Sequence, residues 1–141
     1  NAFIIYKANR YDVKGKEVLK SLEKYYVTDT GLKNTIVGYN LENYGHSIEN
    51  VVYLELLRRG YKVYVGKCDN KEIDFVAIKK EETRYFQVTE SLSDAKTQER
   101  EIAPFYSTND FYEKTIITTD RTYATNINGI KIVNLTDFLL S

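Results

Sequence analysis

The stretch from residue 72 to residue 91, EIDFVAIKKEETRYFQVTES, limits the fold more than any other part of the chain. Two apolar runs separated by charged residues predict a β-hairpin, because short polar turns join antiparallel strands. If KKEE forms a four-residue turn, Ile78 pairs with Thr83 and, four positions further out, Asp74 faces Gln87. A shift of this register by one residue would move every side chain to the opposite face of the sheet.

The same pairing places polar side chains at the end of the hairpin that is furthest from the turn. Glu72 then faces Thr89, on the same side of the sheet as Asp74 and Gln87. The apolar residues expected on the other side are Ile73, Phe75, Ala77, Phe86 and Val88. Two interpretations stay open: a solvated sheet face, or a site for a hard cation such as Mg²⁺, which prefers carboxylate and carboxamide oxygens.

The segments around the hairpin predict the rest of the fold. SIENVVYLELLRRG carries a wide helical apolar face, which Gly60 ends. The later segments are a strand in YKVYVGK, a helix in SDAKTQEREIAPFYS, strands in KTIITTD and GIKIVNL, and a helical turn in TDFLL. The order from residue 46 is α-β-β-β-α-β-β-α. We therefore expect an α/β fold with a mixed central sheet flanked by helices.

Composition excludes several classes of protein. Twenty basic and twenty acidic side chains leave no net charge, so no overall field attracts nucleic acid or an anionic membrane. The single cysteine, Cys68, has no partner for an internal disulfide, which favours a reducing cytoplasm. No apolar run is long enough to span a membrane. The absence of methionine indicates that the chain is part of a longer protein.

The candidate site residues carry a resemblance to a known superfamily. Glu49 in a helix, Asp74 in EID and Gln87 in QVT resemble the arrangement in PD-(D/E)xK nucleases, the fold of restriction endonucleases and Holliday junction resolvases. Longer segments are similar to the C-terminal domain of unknown function attached to prokaryotic AAA+ type ATPases. These segments are EKYYVTDTGLKN, GHSIENVVYLELLRRGYKVYVGK, EIDFVA and YFQVTESL.

The resemblance implies a domain organisation. Residues 45–141 would form the PD-(D/E)xK-like domain, and residues 1–44 the tail of a winged helix or a linker, with a hairpin and a helix. The ATPase domain would lie upstream, outside this chain, and would be a partner within the same protein. A helix capped by Thr28 or Asp29 is expected near the end of the first segment.

The resemblance also assigns roles at the site. Glu49, Asp74 and Gln87 match the positions that hold Mg²⁺ or Mn²⁺, and they would be the catalytic residues together with the residue at position 89. Active nucleases carry a lysine at that position, whereas this chain has Thr89. A hydroxyl group brings no positive charge to stabilise the developing negative charge, which can cost on the order of 10² to 10³ in rate. The site is therefore expected to be degenerate.

Three further residues are candidate accessory groups. Glu72 would add a carboxylate to the metal site. Lys96 lies on the helix after the hairpin and replaces the missing lysine only if the first turn of that helix points at the site. His46, just before the first helix, is interpreted as a capping or packing residue, with a role as ligand or base as the alternative.

The first third of the chain interleaves aromatic and basic residues, a mixture that can bind DNA phosphates. The candidate DNA-binding residues are Lys7, Arg10, Lys14, Lys16 and Lys20. The favoured hypothesis is an inactive nuclease-fold module of an AAA+ type ATPase that acts in DNA binding or protein interaction. The alternative is a Mg²⁺-dependent DNA endonuclease with a non-standard active site.

Overall fold

The computed structural model describes residues 4–27, 44–121 and 124–141, with only the backbone described at residues 21, 22 and 44–46. The strands are β1 (Ile5–Asp12), β2 (Glu17–Val27), β3 (Lys62–Cys68), β4 (Lys71–Lys79), β5 (Glu82–Thr89), β6 (Glu113–Thr118), β7 (Asn126–Ile127) and β8 (Ile130–Asn134). The helices are α1 (Tyr44–Arg58), α2 (Ala95–Tyr106) and α3 (Leu135–Leu140). The helix expected near Thr28 and Asp29 falls outside the described residues.

All described strands belong to one sheet, in the order β2-β1-β3-β4-β5-β6-β8-β7. The β1–β3, β5–β6 and β6–β8 pairs are parallel, and the others are antiparallel. The expected α/β fold with a mixed sheet and flanking helices is confirmed. From α1 onward the elements follow the predicted order, with the two-residue strand β7 as an addition.

The hairpin of β1 and β2 is part of this sheet. Arg10, Tyr11 and Asp12 pair in parallel with residues of β3. Ala8 and Tyr26 are buried in the same core cluster as residues of α1. Residues 5–27, which lie in the segment 1–44 that we expected to be a tail or linker, therefore supply two strands to the sheet that the later residues build.

Helices cover both faces of the sheet. On one face, α1 and α3 bury a cluster that includes Val52, Leu56 and Phe138. On the other face, α2 buries Ile102 and Phe105 against residues of the central strands. None of the described helices is long and apolar enough to cross a membrane.

The predicted hairpin register is correct near the turn. Ile78 pairs with Thr83, and Val76 pairs with Tyr85. The turn is shorter than expected, because Lys79 also pairs with Glu82.

The expected distribution of side chains between the two faces is wrong at Ile73. Phe75, Ala77 and Phe86 pack beneath α1, whereas Ile73 lies in the cluster beneath α2. A bulge is the cause. Tyr64 of β3 pairs with Val76 of β4, and the next pair is Gly66 with Ile73, so a step of two residues in β3 corresponds to a step of three residues in β4. The extra residue in β4 reverses the alternation of side chains beyond this point.

Candidate functional site

Asp74 lies at the bulge, where the paired register between β4 and β5 stops. The last paired residues in this direction are Phe75 and Phe86. Beyond them, the Val88 N–H donates to Asp74 Oδ2 at 2.8 Å, and the Asp74 N–H donates to Gln87 Oε1 at 2.7 Å. Side chains therefore replace the main-chain hydrogen bonds of the ladder. Asp74 and Gln87 are close together, but the predicted strand pair between them is absent, and the Asp74 main-chain N–H contacts the Gln87 side chain instead.

Gln87 is buried and uses both ends of its amide group. Its Oε1 accepts from Asp74, and its Nε2 donates to the Glu101 main-chain oxygen at 3.3 Å. Gln87 therefore ties β4 to α2. A buried polar group without a hydrogen-bond partner is destabilising. The Gln87 amide avoids this cost because both its oxygen and its nitrogen are hydrogen-bonded.

Glu49 approaches from α1, on the other face of the sheet. The Tyr26 hydroxyl donates to Glu49 Oε1 at 2.9 Å. Burial, followed by the charge and hydrogen bond of Glu49, raises the pKa of Tyr26 far above its usual range, so that Tyr26 stays a donor. The Glu49 charge also reaches Asp74, where it is one cause of a raised pKa.

Lys24 is a member of the site that the sequence interpretation missed. Its ammonium group donates to Glu72 Oε1 and lies 3.7 Å from Glu49 Oε1. Lys24 precedes Tyr26 by two positions in β2, so a shared face could be read from the sequence. Its approach to Glu72 could not, because that contact requires β1 to pair with β3, which joins distant parts of the chain.

Glu72 is held by cations on both of its oxygens. Arg10 donates to Glu72 Oε2 at 2.8 Å, while Lys24 donates to Oε1. Although burial raises the pKa of Glu72, the hydrogen bonds from Lys24 and Arg10 outweigh it, and the pKa lies below its usual value. Glu72 is thus an ion-pair partner of the first hairpin, and no pairing joins it to Thr89, whose strand partner is Thr118.

Glu101 of α2 is a second residue that sequence reasoning missed. Its Oε2 lies 3.5 Å from Gln87 Nε2, and its side chain is 12% exposed. Burial raises its pKa, although the neighbouring Arg100 opposes the rise. The available signal was weak: an acidic residue next to the apolar residue Ile102 on the inner face of a helix.

The Asp74 carboxyl group is the most strongly perturbed acid of the site. Burial, then the charge of Glu49, raises its pKa to about 8, against the lowering effects of the Val88 hydrogen bond and of Lys24. The raised pKa favours the neutral, protonated form of Asp74, which still accepts from the Val88 N–H and so links the two strands.

The residues present do not fit a Mg²⁺ ion. The Asp74 Oδ2 atom already accepts the hydrogen bond of the Val88 N–H, which ties this carboxyl group to β5. The ammonium of Lys24 already stands between the Glu49 and Glu72 carboxylates. In the part of the chain that the structure describes, no three His, Cys, Asp or Glu side chains stand close enough together to hold a metal.

The remaining predicted site residues lie apart from these contacts. The Thr89 hydroxyl donates to the Ser91 main-chain oxygen at 3.3 Å. Lys96 is exposed in the first turn of α2 and forms no ion pair with any described residue. The side chain of His46 is outside the described residues.

Most of the candidate DNA-binding residues are already paired with carboxylates or rings. Lys7 lies 3.2 Å from Glu23, and Lys14 lies 2.7 Å from Asp69. Arg10 holds Glu72, as described above. Lys16 stands 5.6 Å from the centre of the Tyr112 ring, and Lys20 is exposed on β2.

Two relatives match much of the chain. An uncharacterized protein of Haemophilus influenzae is 42% identical over 140 residues, which is 99% of this chain and 34% of that protein. An uncharacterized protein of Methanocaldococcus jannaschii is 34% identical over 109 residues, which is 74% of this chain and 23% of that protein. The chain therefore spans about a third or less of the length of each relative.

No family model matches the chain. No solved structure matches it either.

Proposed function

We propose that the chain is a non-catalytic binding module with a PD-(D/E)xK-type fold, and that it belongs to a longer cytoplasmic AAA+ type ATPase. One observation carries the non-catalytic part of this proposal: the protein itself satisfies the acids that would hold a metal. Lys24 and Arg10 neutralise Glu72, and Asp74 is tied to the main chain of β5. An active site of this kind needs its acids free to bind metal and water.

The arrangement of elements supports the nuclease-type ancestry. Helix α1 precedes three antiparallel strands, and α2 then leads to β6, which is parallel to β5. Glu49, Asp74 and Gln87 come from α1, β4 and β5, as the resemblance implies. The length of both relatives supports a larger protein around the module.

The partner that we propose is protein, with the ATPase domain of the same polypeptide as the first candidate. Three of the five cations considered for DNA binding are engaged in ion pairs, which lowers the positive potential that phosphates would meet. Large apolar side chains are instead exposed on the first hairpin. They are Ile4, Ile5, Val18 and Tyr25, which are 56%, 57%, 45% and 63% exposed.

A cleavage assay tests the absence of catalysis. The protein would be incubated in excess with supercoiled, linear and branched DNA in the presence of Mg²⁺ or Mn²⁺, beside Asp74→Ala as the matched control. We expect both proteins to leave the DNA intact. Cleavage by the unmodified protein that Asp74→Ala abolishes would instead establish the alternative, a Mg²⁺-dependent endonuclease with a non-standard site.

A mobility-shift titration over a range of salt concentrations tests the choice of partner. We expect no salt-dependent shift of the same DNA substrates at protein concentrations up to about ten micromolar, a range in which non-specific DNA binders act. A shift that weakens steeply with salt would make DNA the partner. The change Lys20→Glu, at an exposed position on β2, would then be expected to reduce it.

A further inference from the structure

The Lys24 ammonium occupies a position between two carboxylates of different elements. It donates to Glu72 Oε1 on β4 and lies 3.7 Å from Glu49 Oε1 on α1. Arg10 completes the arrangement by donating to the second oxygen of Glu72. Two cations therefore face two carboxylates, and the charges of these four groups balance.

The surroundings fix where Lys24 can lie. Asn50 of α1 accepts from the Val27 N–H at 3.0 Å and donates to the Val27 oxygen at 2.6 Å, which anchors the end of β2 to the helix. The Tyr26 ring stacks on Tyr53 of the same helix, with centroids 4.1 Å apart. The Asn50 hydrogen bonds and the Tyr26–Tyr53 stacking both attach β2 to α1. They therefore fix the distance between the Lys24 main chain and Glu49.

The burial of these groups separates them from ordinary surface ion pairs. The Lys24 side chain is 31% exposed and the Glu49 side chain 16%, whereas Lys7 on the neighbouring strand is 52% exposed. The buried part of this arrangement is paired, since the Lys24 ammonium donates to Glu72 Oε1 and lies 3.7 Å from Glu49 Oε1. The ammonium is thus kept charged in a place partly removed from water, where charges interact more strongly.

We propose that the Lys24 ammonium is a built-in cation that takes the place of a divalent metal between Glu49 and Glu72, and thereby excludes such a metal from the site. A divalent ion brought to these carboxylates would meet the repulsion of Lys24 and of Arg10. This inference rests on the proposed function in one respect: the nuclease-type fold is the reason to consider a divalent metal as the ion that Lys24 excludes. Both carboxylates contact the internal cation, which accounts for two acids at this place without metal chemistry.

The change Lys24→Met tests this directly, because it removes the charge and keeps most of the apolar stem. Mg²⁺ binding would be measured by isothermal titration calorimetry at pH 8.5, with ionic strength held constant. We expect no measurable Mg²⁺ binding by the unmodified protein and a gain of at least tenfold in affinity in Lys24→Met. Adding Glu49→Gln to that variant should abolish the gain.

Two controls keep the outcome specific. Lys7→Met removes a lysine whose ion pair with Glu23 lies on the same hairpin, and it should not change Mg²⁺ binding. Lys24→Gln is a second variant with the same expectation as Lys24→Met, with the folding of each checked by circular dichroism.

Two results would overturn the inference: Mg²⁺ binding by the unmodified protein at the affinity of the variant, or no gain in either folded variant. Failure of the proposed function would be seen separately, as DNA cleavage by the unmodified protein.

Discussion

The Asp74 carboxyl group is held between the main chain of β5 and two other acids. Val88 donates to it, while the charges of Glu49 and Glu101 disfavour its ionisation. An acid whose pKa is raised in the folded state makes the protein most stable below the ordinary pKa of the group. Stability is then lost as the pH rises towards the folded value.

The change Asp74→Asn should therefore be more favourable at high pH than at low pH. Asparagine keeps a side-chain oxygen for the Val88 N–H and cannot ionise. Between pH 4.5 and pH 9 we expect the stability of the variant relative to the unmodified protein to increase by roughly 2 to 4 kcal/mol, since each unit of pKa shift corresponds to about 1.4 kcal/mol. Urea denaturation at a series of pH values measures this difference.

Asp69→Asn is the matched control for this change, because Asp69 is an exposed carboxylate that pairs with Lys14. The relative stability of Asp74→Asn should vary more between pH 4.5 and pH 9 than that of this control. A pH dependence of Asp74→Asn no larger than that of the control would show that the carboxyl group is ionised at neutral pH. The interpretation of Asp74 as a neutral hydrogen-bonding group would then be abandoned.

At the scale of elements, the Asn50 side chain of α1 pairs with the main chain at the end of β2. Asn50 is 2% exposed, and its amide group pairs with both the N–H and the oxygen of Val27. The Asn50 amide thus makes the two hydrogen bonds that a neighbouring strand would otherwise make with Val27. It sets the distance between the Lys24 strand and the Glu49 helix.

Asn50→Leu should destabilise the fold by about 2 to 3 kcal/mol. Leucine has a similar size, but it leaves the partly buried main-chain groups of Val27 without the Asn50 amide, and an unpaired buried group costs about 1 to 3 kcal/mol. Thermal and urea denaturation measure the loss. Lys62→Ala, at an exposed position on β3, is the control and should change stability by less than about 0.5 kcal/mol. Equal stability of the two variants would contradict the anchoring role of Asn50.

The bulge in β4 depends on a small residue in β3. A Cβ atom added at Gly66 would lie 2.9 Å from Ile73 Cβ and 2.9 Å from Val76 Cγ2, at the two ends of the bulged segment. Gly66→Ala should therefore destabilise the protein by about 1 to 3 kcal/mol, as overpacking of a core does. Urea denaturation measures this loss of stability, with Lys67→Ala at the exposed neighbouring position as the control. Unchanged stability in Gly66→Ala would mean that the bulge is not tightly packed.

Local periodicity was enough to predict α1, the β4–β5 hairpin and the order of the elements after residue 46. The register was predictable near the turn because the turn fixes it. The bulge was not, because it follows from the packing of Ile73 and Val76 over Gly66, a contact between strands. The sequence therefore identified Asp74 and Gln87 as neighbours. It did not predict that Ile73 lies on the face opposite to Phe75.

At the scale of the whole molecule, the first hairpin belongs to both the sheet and the candidate site. It supplies Lys24 and Arg10 to the acids, and β1 covers one edge of β3. Sequence reasoning assigned this segment to a preceding part of the protein, because nothing local indicates that β1 pairs with β3. Such non-local parallel pairing leaves no short-range signal.

A fragment of residues 45–141 should fail to fold as a cooperative unit. Removing β1 and β2 would uncover Val65, which is fully buried, and take Ala8 and Tyr26 out of the core. Circular dichroism and the dispersion of amide signals in NMR spectra would show the loss, with the full chain as reference. A fragment that unfolds in one sharp transition would show instead that the hairpin is an appendage.

The measurement that tests the central claim most directly is a crystal structure determined in the presence of Mn²⁺ at pH 8.5, with anomalous diffraction to locate the metal. We predict no anomalous peak within coordination distance of Glu49, Glu72 or Asp74, and the Lys24 ammonium on Glu72. A Mn²⁺ ion bound by Glu49 and Asp74, with Lys24 displaced, would contradict the account and restore the site as a metal centre.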